Sequence, residues 1–169
     1  MKINFVLKEK SSVKSKKHIS VKEAISKMAS FCAYQERCQA EVREKLYAEY
    51  YLDSEEIEFI IAELIIQKFI NEGRFAKIYA GSKFRLKKWG KLKIKQALKQ
   101  FHLSTYCINQ GLAEITDEDY ESTLRALLAK KSKQTTENNP LKKKQKLLQY
   151  ALSKGYEMDI VLDLLDDYI

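Results

Sequence analysis

Apolar residues recur along this chain on two rulers at once. Within short stretches they fall at helical spacing, as in Ile57, Ile61 and Leu64, or Ile94, Leu98 and Phe101. Positions three and four apart share one face of a helix, so each set predicts a buried stripe. The longer ruler spans a helix, a short turn and a second helix. Ile94, Leu98, Leu103, Ile108, Leu112 and Ile115 are spaced 4, 5, 5, 4 and 3 apart. Leu147, Ala151, Tyr156, Val161, Leu165 and Tyr168 repeat that spacing, and Val42, Leu46, Leu52, Ile57, Ile61 and Leu64 repeat it with one residue inserted. A further helical stretch precedes each pair, at about 20–36, 71–88 and 116–133.

The pattern predicts an all-α protein of three tandem three-helix repeats forming an elongated, curved body. One helix pair cannot bury both of its apolar faces, whereas stacked units can. The expected division is a basic N-terminal tail over 1–19, then repeats over 20–70, 71–115 and 116–169. Local signals mark the helix ends. Ser20 with Glu23, Asp53 with Glu56, and Thr116 with Asp119 have the spacing of capping boxes or close variants. Asn139 followed by Pro140 fits an N-cap with proline at the first helical position. Gly155 after LLQYALSK fits a left-handed C-terminal stop.

Composition narrows the classes. Five Gly and one Pro in 169 residues argue against a turn-rich β fold. No apolar run approaches the ~18 residues of a membrane span, since FIIAELII is cut by Glu63. MKINFVLKEK lacks the apolar stretch of a signal peptide, so a cytoplasmic protein is expected, with no membrane partner. Cys32, Cys38 and Cys107 show no CxxC spacing and read as small, buried side chains. His18 and His102 are far apart in the chain and no cysteine cluster sits near either, so neither a metal nor a cofactor is expected. There is no phosphate-cradling glycine loop, HExxH or GxSxG, and the chain does not read as an enzyme.

Charge changes the picture most. The net charge of +8 is the residue of alternating blocks. Residues 23–72 carry eleven acidic and five basic side chains, whereas 73–113 carry ten Lys and Arg and no carboxylate. Charge runs are commonly solvated faces, the reading given to 1–17 as a disordered tail and to a Lys/Ser/Thr/Asn linker around 130–140. Forty-one residues without a carboxylate are different, because mixed signs would solvate as well with less self-repulsion. The block predicts a surface for an anion, either a phosphate backbone or an acidic protein face. On the helix over about 74–88, Phe75, Tyr79, Ser82 and Leu86 share one face, and Arg74, Lys77, Arg85 and Lys88 another, with Gly81 among them. On the next helix Lys91, Lys95 and Lys99 form a row at i, i+4, i+8. The joint KKWG draws the two basic faces together. The candidate surface is Arg74, Lys77, Lys83, Arg85, Lys87, Lys88, Trp89, Lys91, Lys95 and Lys99. Trp89 reads first as an anchor packed between helices and second as a platform for a base or a partner.

The stretch FINEGRFAKIYAGSKFRLKKWGKLKIKQALKQF, residues 69–101, resembles the RecX family of regulators of the RecA recombinase. The family pattern is matched by Ile70, Asn71, Glu72, Arg74, Phe75 and Ala76, then the basic run Lys83 to Lys88, Gly90 and Ile94. RCQAEVREKL (37–46) and KKKQKLLQYALSKGYEMDIVLDLL (142–165) are similar to flanking family segments, in the family's order. Lys91 stands where the family often has proline. The resemblance implies three three-helix repeats and a non-catalytic monomer that binds the RecA–DNA filament and restrains recombinase, ATPase and co-protease activities. It implies that the basic repeat faces DNA, single- or double-stranded and without sequence preference, or the groove lining, while acidic patches over 41–63 or 157–167 face RecA. The competing reading is a general DNA-binding helical protein with no RecA partner.

Overall fold

The computed structural model describes residues 15–169. They form nine α-helices: α1 (Val21–Tyr34), α2 (Gln39–Glu49), α3 (Ser54–Ile66), α4 (Glu72–Lys87), α5 (Lys91–Gln100), α6 (Thr105–Leu112), α7 (Asp117–Gln134), α8 (Pro140–Lys154) and α9 (Met158–Leu165), with a 3₁₀ turn over Asp166–Tyr168. There is no strand among the described residues; one isolated backbone bridge joins Lys17 to Tyr50.

The helix starts follow the capping residues. The Ser20 hydroxyl accepts from the Glu23 N–H at 3.3 Å, and the Glu23 carboxylate accepts from the Ser20 N–H in return. Asp53 and Glu56 close the same reciprocal pair at 2.8 and 3.0 Å. Thr116 accepts from Asp119 N–H at 3.2 Å, and Asn139 from the N–H groups of Leu141 and Lys142. Each cap supplies a partner to N–H groups that the first turn leaves unpaired. Gly155 closes α8 in the left-handed region, φ 90°.

The long rulers are core positions. Every ruler residue is buried except Leu52, Leu112 and Tyr168, which are half-buried. Packing repeats as well: α3 lies against α1 and α2, α6 against α4 and α5, and α9 against α7 and α8. The units nevertheless share cores unequally. Ala24, Met28, Val42, Leu46, Ile57, Ile61 and Leu64 belong to one apolar cluster. The helices from α4 onward form a larger one, in which Ile94, Leu98, Ile108, Leu124, Leu147, Tyr156 and Leu165 are joined, and Cys38 at the start of α2 reaches into it. Three helical triplets thus have two cores, because the second and third close on each other.

Within the expected tail over 1–19, the Lys17 N–H donates to Glu49 O at 2.9 Å, its carbonyl accepts from Tyr51 N–H at 3.0 Å, and the His18 ring stacks on Tyr51 at 4.8 Å. Backbone pairing holds this segment on the first triplet in spite of its charge. The rest of the expected tail, 1–14, lies outside the described residues. The expected linker starts later. Helix α7 runs to Gln134, so Lys130, Lys131 and Lys133 are helical and only 135–139 are irregular. Leu124 and Leu128 are fully buried and carry the helix past its polar composition.

Candidate nucleic-acid and filament interface

Helix α4 begins where the Asn71 side chain accepts from Arg74 N–H at 2.8 Å. It buries Phe75, Ala76, Ala80 and Phe84. Leu86, expected on the face of Phe75 and Tyr79, is 75% exposed. The reason is that α4 changes neighbours along its length. Its first half crosses α6, where a β-carbon on Gly111 would stand 2.7 Å from the Ala76 carbonyl oxygen. Its second half is covered by α7, with the Phe84 and Tyr120 rings 6.0 Å apart. Burial therefore follows Ala76, Ala80 and Phe84 and leaves Leu86 outside.

The joint between α4 and α5 is built without glycine at the helix end. Lys88 adopts the left-handed conformation, φ 54° and ψ 40°, which costs a non-glycine residue about 1–2 kcal/mol. The chain then meets the third triplet backbone to backbone. Gly90 N–H donates to Lys154 O at 2.8 Å and Leu92 N–H to Gly155 O at 3.1 Å. A β-carbon on Gly90 would lie 2.1 Å from the Gly155 oxygen.

The candidate cations divide into two sets. Three are ion-paired: Arg74 with Glu36, Lys77 with Glu114 at 3.0 Å, and Lys91 with Asp117 at 2.9 Å. Lys91 also sits 4.8 Å from the centre of the Tyr120 ring. Its ammonium holds the Asp117 carboxyl below the usual carboxylate range. The row Lys91, Lys95, Lys99 is therefore not a uniform free face, since Lys91 is engaged at the junction with α7. The other set, Lys83, Arg85, Lys87, Lys88, Lys95 and Lys99, makes no ion pair among the described residues. Arg85 lies over Gly81, where its guanidinium would be 2.7 Å from an added β-carbon.

Trp89 is half-buried against the larger core. Lys83 and Lys93 place ammonium groups 5.3 and 5.1 Å from its ring centre. The anchor reading fits this placement, and the two cations from α4 and α5 meet at the ring. Lys93 belongs to the cluster although the candidate set omitted it; the acid-free block was its signal. Three further cations and an aromatic ring stand near the end of α4 from the third triplet. Lys87, Lys88, Lys130, Tyr150 and Lys154 line one groove, and Lys131 is 5.2 Å from the Tyr150 ring. The signal for Lys130 and Lys131 was the positive run 130–146, obscured by its linker-like composition; Tyr150 and Lys154 lie beyond it.

No group of three or more metal-ligating side chains occurs among the described residues. Burial pushes the Cys32 and Cys38 thiols up to about 11, so both are protonated packing groups near neutral pH. No described helix is long and apolar enough to cross a membrane.

Tandem three-helix units carrying, among the described residues, a joint of cations without ion-pair partners define a helical-repeat protein with a basic surface. Residues 71–112 match the second three-helix domain of RecX, and 117–165 match the third. The chain is 32% identical to the regulatory protein RecX of Clostridium tetani over 132 residues, covering 77% of this chain and 60% of that relative. It is 30% identical to the regulatory protein RecX of Clostridium acetobutylicum over 148 residues, covering 85% of this chain and 68% of that relative. The crystal structure of RecX from Lactobacillus salivarius superposes with a TM-score of 0.78 at 22% identity, covering 88% of this chain and 96% of that one, and shows the shared fold. The chain belongs to the RecX family, a family of regulatory proteins rather than enzymes.

Proposed function

We propose that this chain binds the RecA–DNA filament and restrains RecA recombinase, ATPase and co-protease activities without catalysing a reaction itself. Family membership supports the regulatory role. The observation that carries the reading on this molecule is the uneven pairing of charge. Several cations elsewhere are neutralised by carboxylates, as in Arg37–Glu41, Arg43–Glu58 and Arg125–Asp167. Lys83, Arg85, Lys87, Lys88, Lys95 and Lys99 have no such partner among the described residues, although they crowd two helices and one joint. Such crowding costs stability unless an anion is to be bound there. Non-specific contact with DNA phosphates within the filament suits lysines on rigid helices. The reading divides the chain at 70/71 and 115/116, which the matched domains at 71–112 and 117–165 support. It takes the protein to act as a cytoplasmic monomer.

The test uses Lys95→Gln/Lys99→Gln. Lys91 is left in place because it serves the fold. The double variant should melt like the parent. Its binding to RecA-coated DNA should weaken, with the log–log salt slope falling by about 0.7–0.9 for each phosphate no longer engaged. RecA ATP hydrolysis on single-stranded DNA should be restrained by the parent at ratios well below one per protomer, and less so by the variant. Unchanged affinity and slope would show these lysines to be a solvated face. Restraint only when DNA is saturated would favour a general DNA-binding protein.

A further inference from the structure

We infer that the groove between the end of α4 and the facing sides of α7 and α8 binds single-stranded nucleic acid, with an unpaired base against Tyr150 and the flanking phosphates on Lys87, Lys88, Lys130 and Lys154. The inference rests on the DNA contact proposed above and carries it from the second repeat into the third. The groove has a volume of about 560 Å³, within the range of roughly 300–1,000 Å³ of ligand sites. No carboxylate lines it. Lys144 and Lys146, on the same helix α8, are held by Asp166 and Glu137, whereas none of the groove lysines has an ion pair among the described residues. Lys131 and Lys154 instead stand 5.2 and 5.8 Å from the centre of one ring, that of Tyr150.

The chemistry selects an unpaired strand over a duplex. A base stacked within a duplex offers no face to a tyrosine, whereas a splayed base does. Leu86, 75% exposed, adds apolar surface beside the ring, where a base or sugar gains by contact. The cations are lysines, point charges suited to phosphodiesters. An acidic peptide would be read better by the forked guanidinium of arginine. Lys88 holds a left-handed backbone that glycine would take at less cost, so a side chain is retained there against local preference.

The experiment measures fluorescence anisotropy of a labelled oligothymidylate and of a duplex of equal length, with no recombinase present. Tyr150→Leu should weaken oligothymidylate binding roughly 5–100-fold and leave the duplex unchanged, because base–aromatic stacking is removed only with the unpaired strand. Tyr150→Phe should bind like the parent. Lys130→Gln/Lys154→Gln should flatten the salt slope by about 0.7 per lysine; it leaves Tyr150 in place and keeps the inference testable if Tyr150→Leu fails to fold. Parent-like oligothymidylate binding by both variants overturns the inference. So does equal weakening on strand and duplex, which marks a plain phosphate surface, and so does intact strand binding with abolished binding of poly-glutamate, which marks an acidic-peptide site. A parent chain without effect on RecA would remove the filament reading alone, since this assay contains no recombinase.

Discussion

The Tyr120 hydroxyl donates to a Glu157 carboxylate oxygen at 2.5 Å and accepts the Lys91 backbone N–H at 2.9 Å. Its ring stacks on Tyr156 at 4.9 Å and leans on Phe84. One side chain thus touches the first turn of α5, the start of α9 and the end of α4. Burial and the neighbouring carboxylate hold its phenol protonated well above the ordinary tyrosine range, which keeps it a donor. Tyr120→Phe retains the stacking and removes only the oxygen. It leaves the Lys91 N–H and the Glu157 carboxylate short of a partner in a part-buried site. The expected loss is about 1–3 kcal/mol in urea unfolding, the cost of unsatisfied buried polar groups. A loss below about 0.5 kcal/mol would mean that water takes the place of the hydroxyl. Tyr156, directly beside it, has a buried hydroxyl with no hydrogen-bond partner among the described residues.

At the scale of elements, the α4–α5 joint and the α8–α9 turn are locked by backbone. Gly155, at φ 90°, lets its chain turn where a β-carbon would meet Lys93 Cβ at 2.3 Å, and Gly90 lies on the Gly155 carbonyl. Gly90→Ala must push two backbones apart and should cost about 1–3 kcal/mol, as overpacking does. Hydrogen exchange should localise the damage. Amides of α5, α8 and α9 should lose protection, while those of α1 and α3, in the separate first core, should keep theirs. Uniform loss would show the two cores to be one cooperative unit. Much of this architecture was legible beforehand, because caps and apolar spacing act within a few residues of themselves. Ser20, Asp53, Thr116 and Asn139 start helices where expected, and the rulers from Val42, Ile94 and Leu147 mark the buried faces. What stands opposite a face was not legible. Lys91, Lys95 and Lys99 share one helical row, but only Lys91 faces Asp117, twenty-six residues away. Periodicity states which way a residue points on its own helix and is silent about the helix that arrives there. The groove around Tyr150 was hidden for the same reason, since its lysines come from three helices and three charge blocks.

For the whole molecule, the remaining issue is whether its acidic side contacts RecA or merely offsets the cations. Pairing decides which carboxylates can report on this. Glu58 accepts two hydrogen bonds from Arg43, at 2.7 and 2.9 Å, and its carboxyl is held below the usual range by them. Replacing it would disturb the α2–α3 contact as well as the surface. Glu44 and Glu55 are exposed on those same two helices and have no ion pair among the described residues. Glu44→Lys/Glu55→Lys therefore reverses charge on the acidic side and spares the core. Each substitution is worth two charges, so bare DNA should bind the variant as well as the parent or better, through the wider positive field. If the acidic side contacts RecA protomers, restraint of a preformed filament should nevertheless fall, and the ratio of chain to protomer needed for half-inhibition of ATP hydrolysis should rise about tenfold or more, as like charges replace complementary ones across an interface. The Lys95→Gln/Lys99→Gln variant supplies the opposite arm, with DNA affinity lowered and the acidic side intact. Should inhibition follow DNA affinity across both variants, one falling and the other holding or improving, the chain acts by covering DNA and the acidic side has no partner. Should both variants lose inhibition while their DNA affinities move in opposite directions, the filament is held from two sides, by phosphate contacts on the basic repeat and by protein contacts on the first.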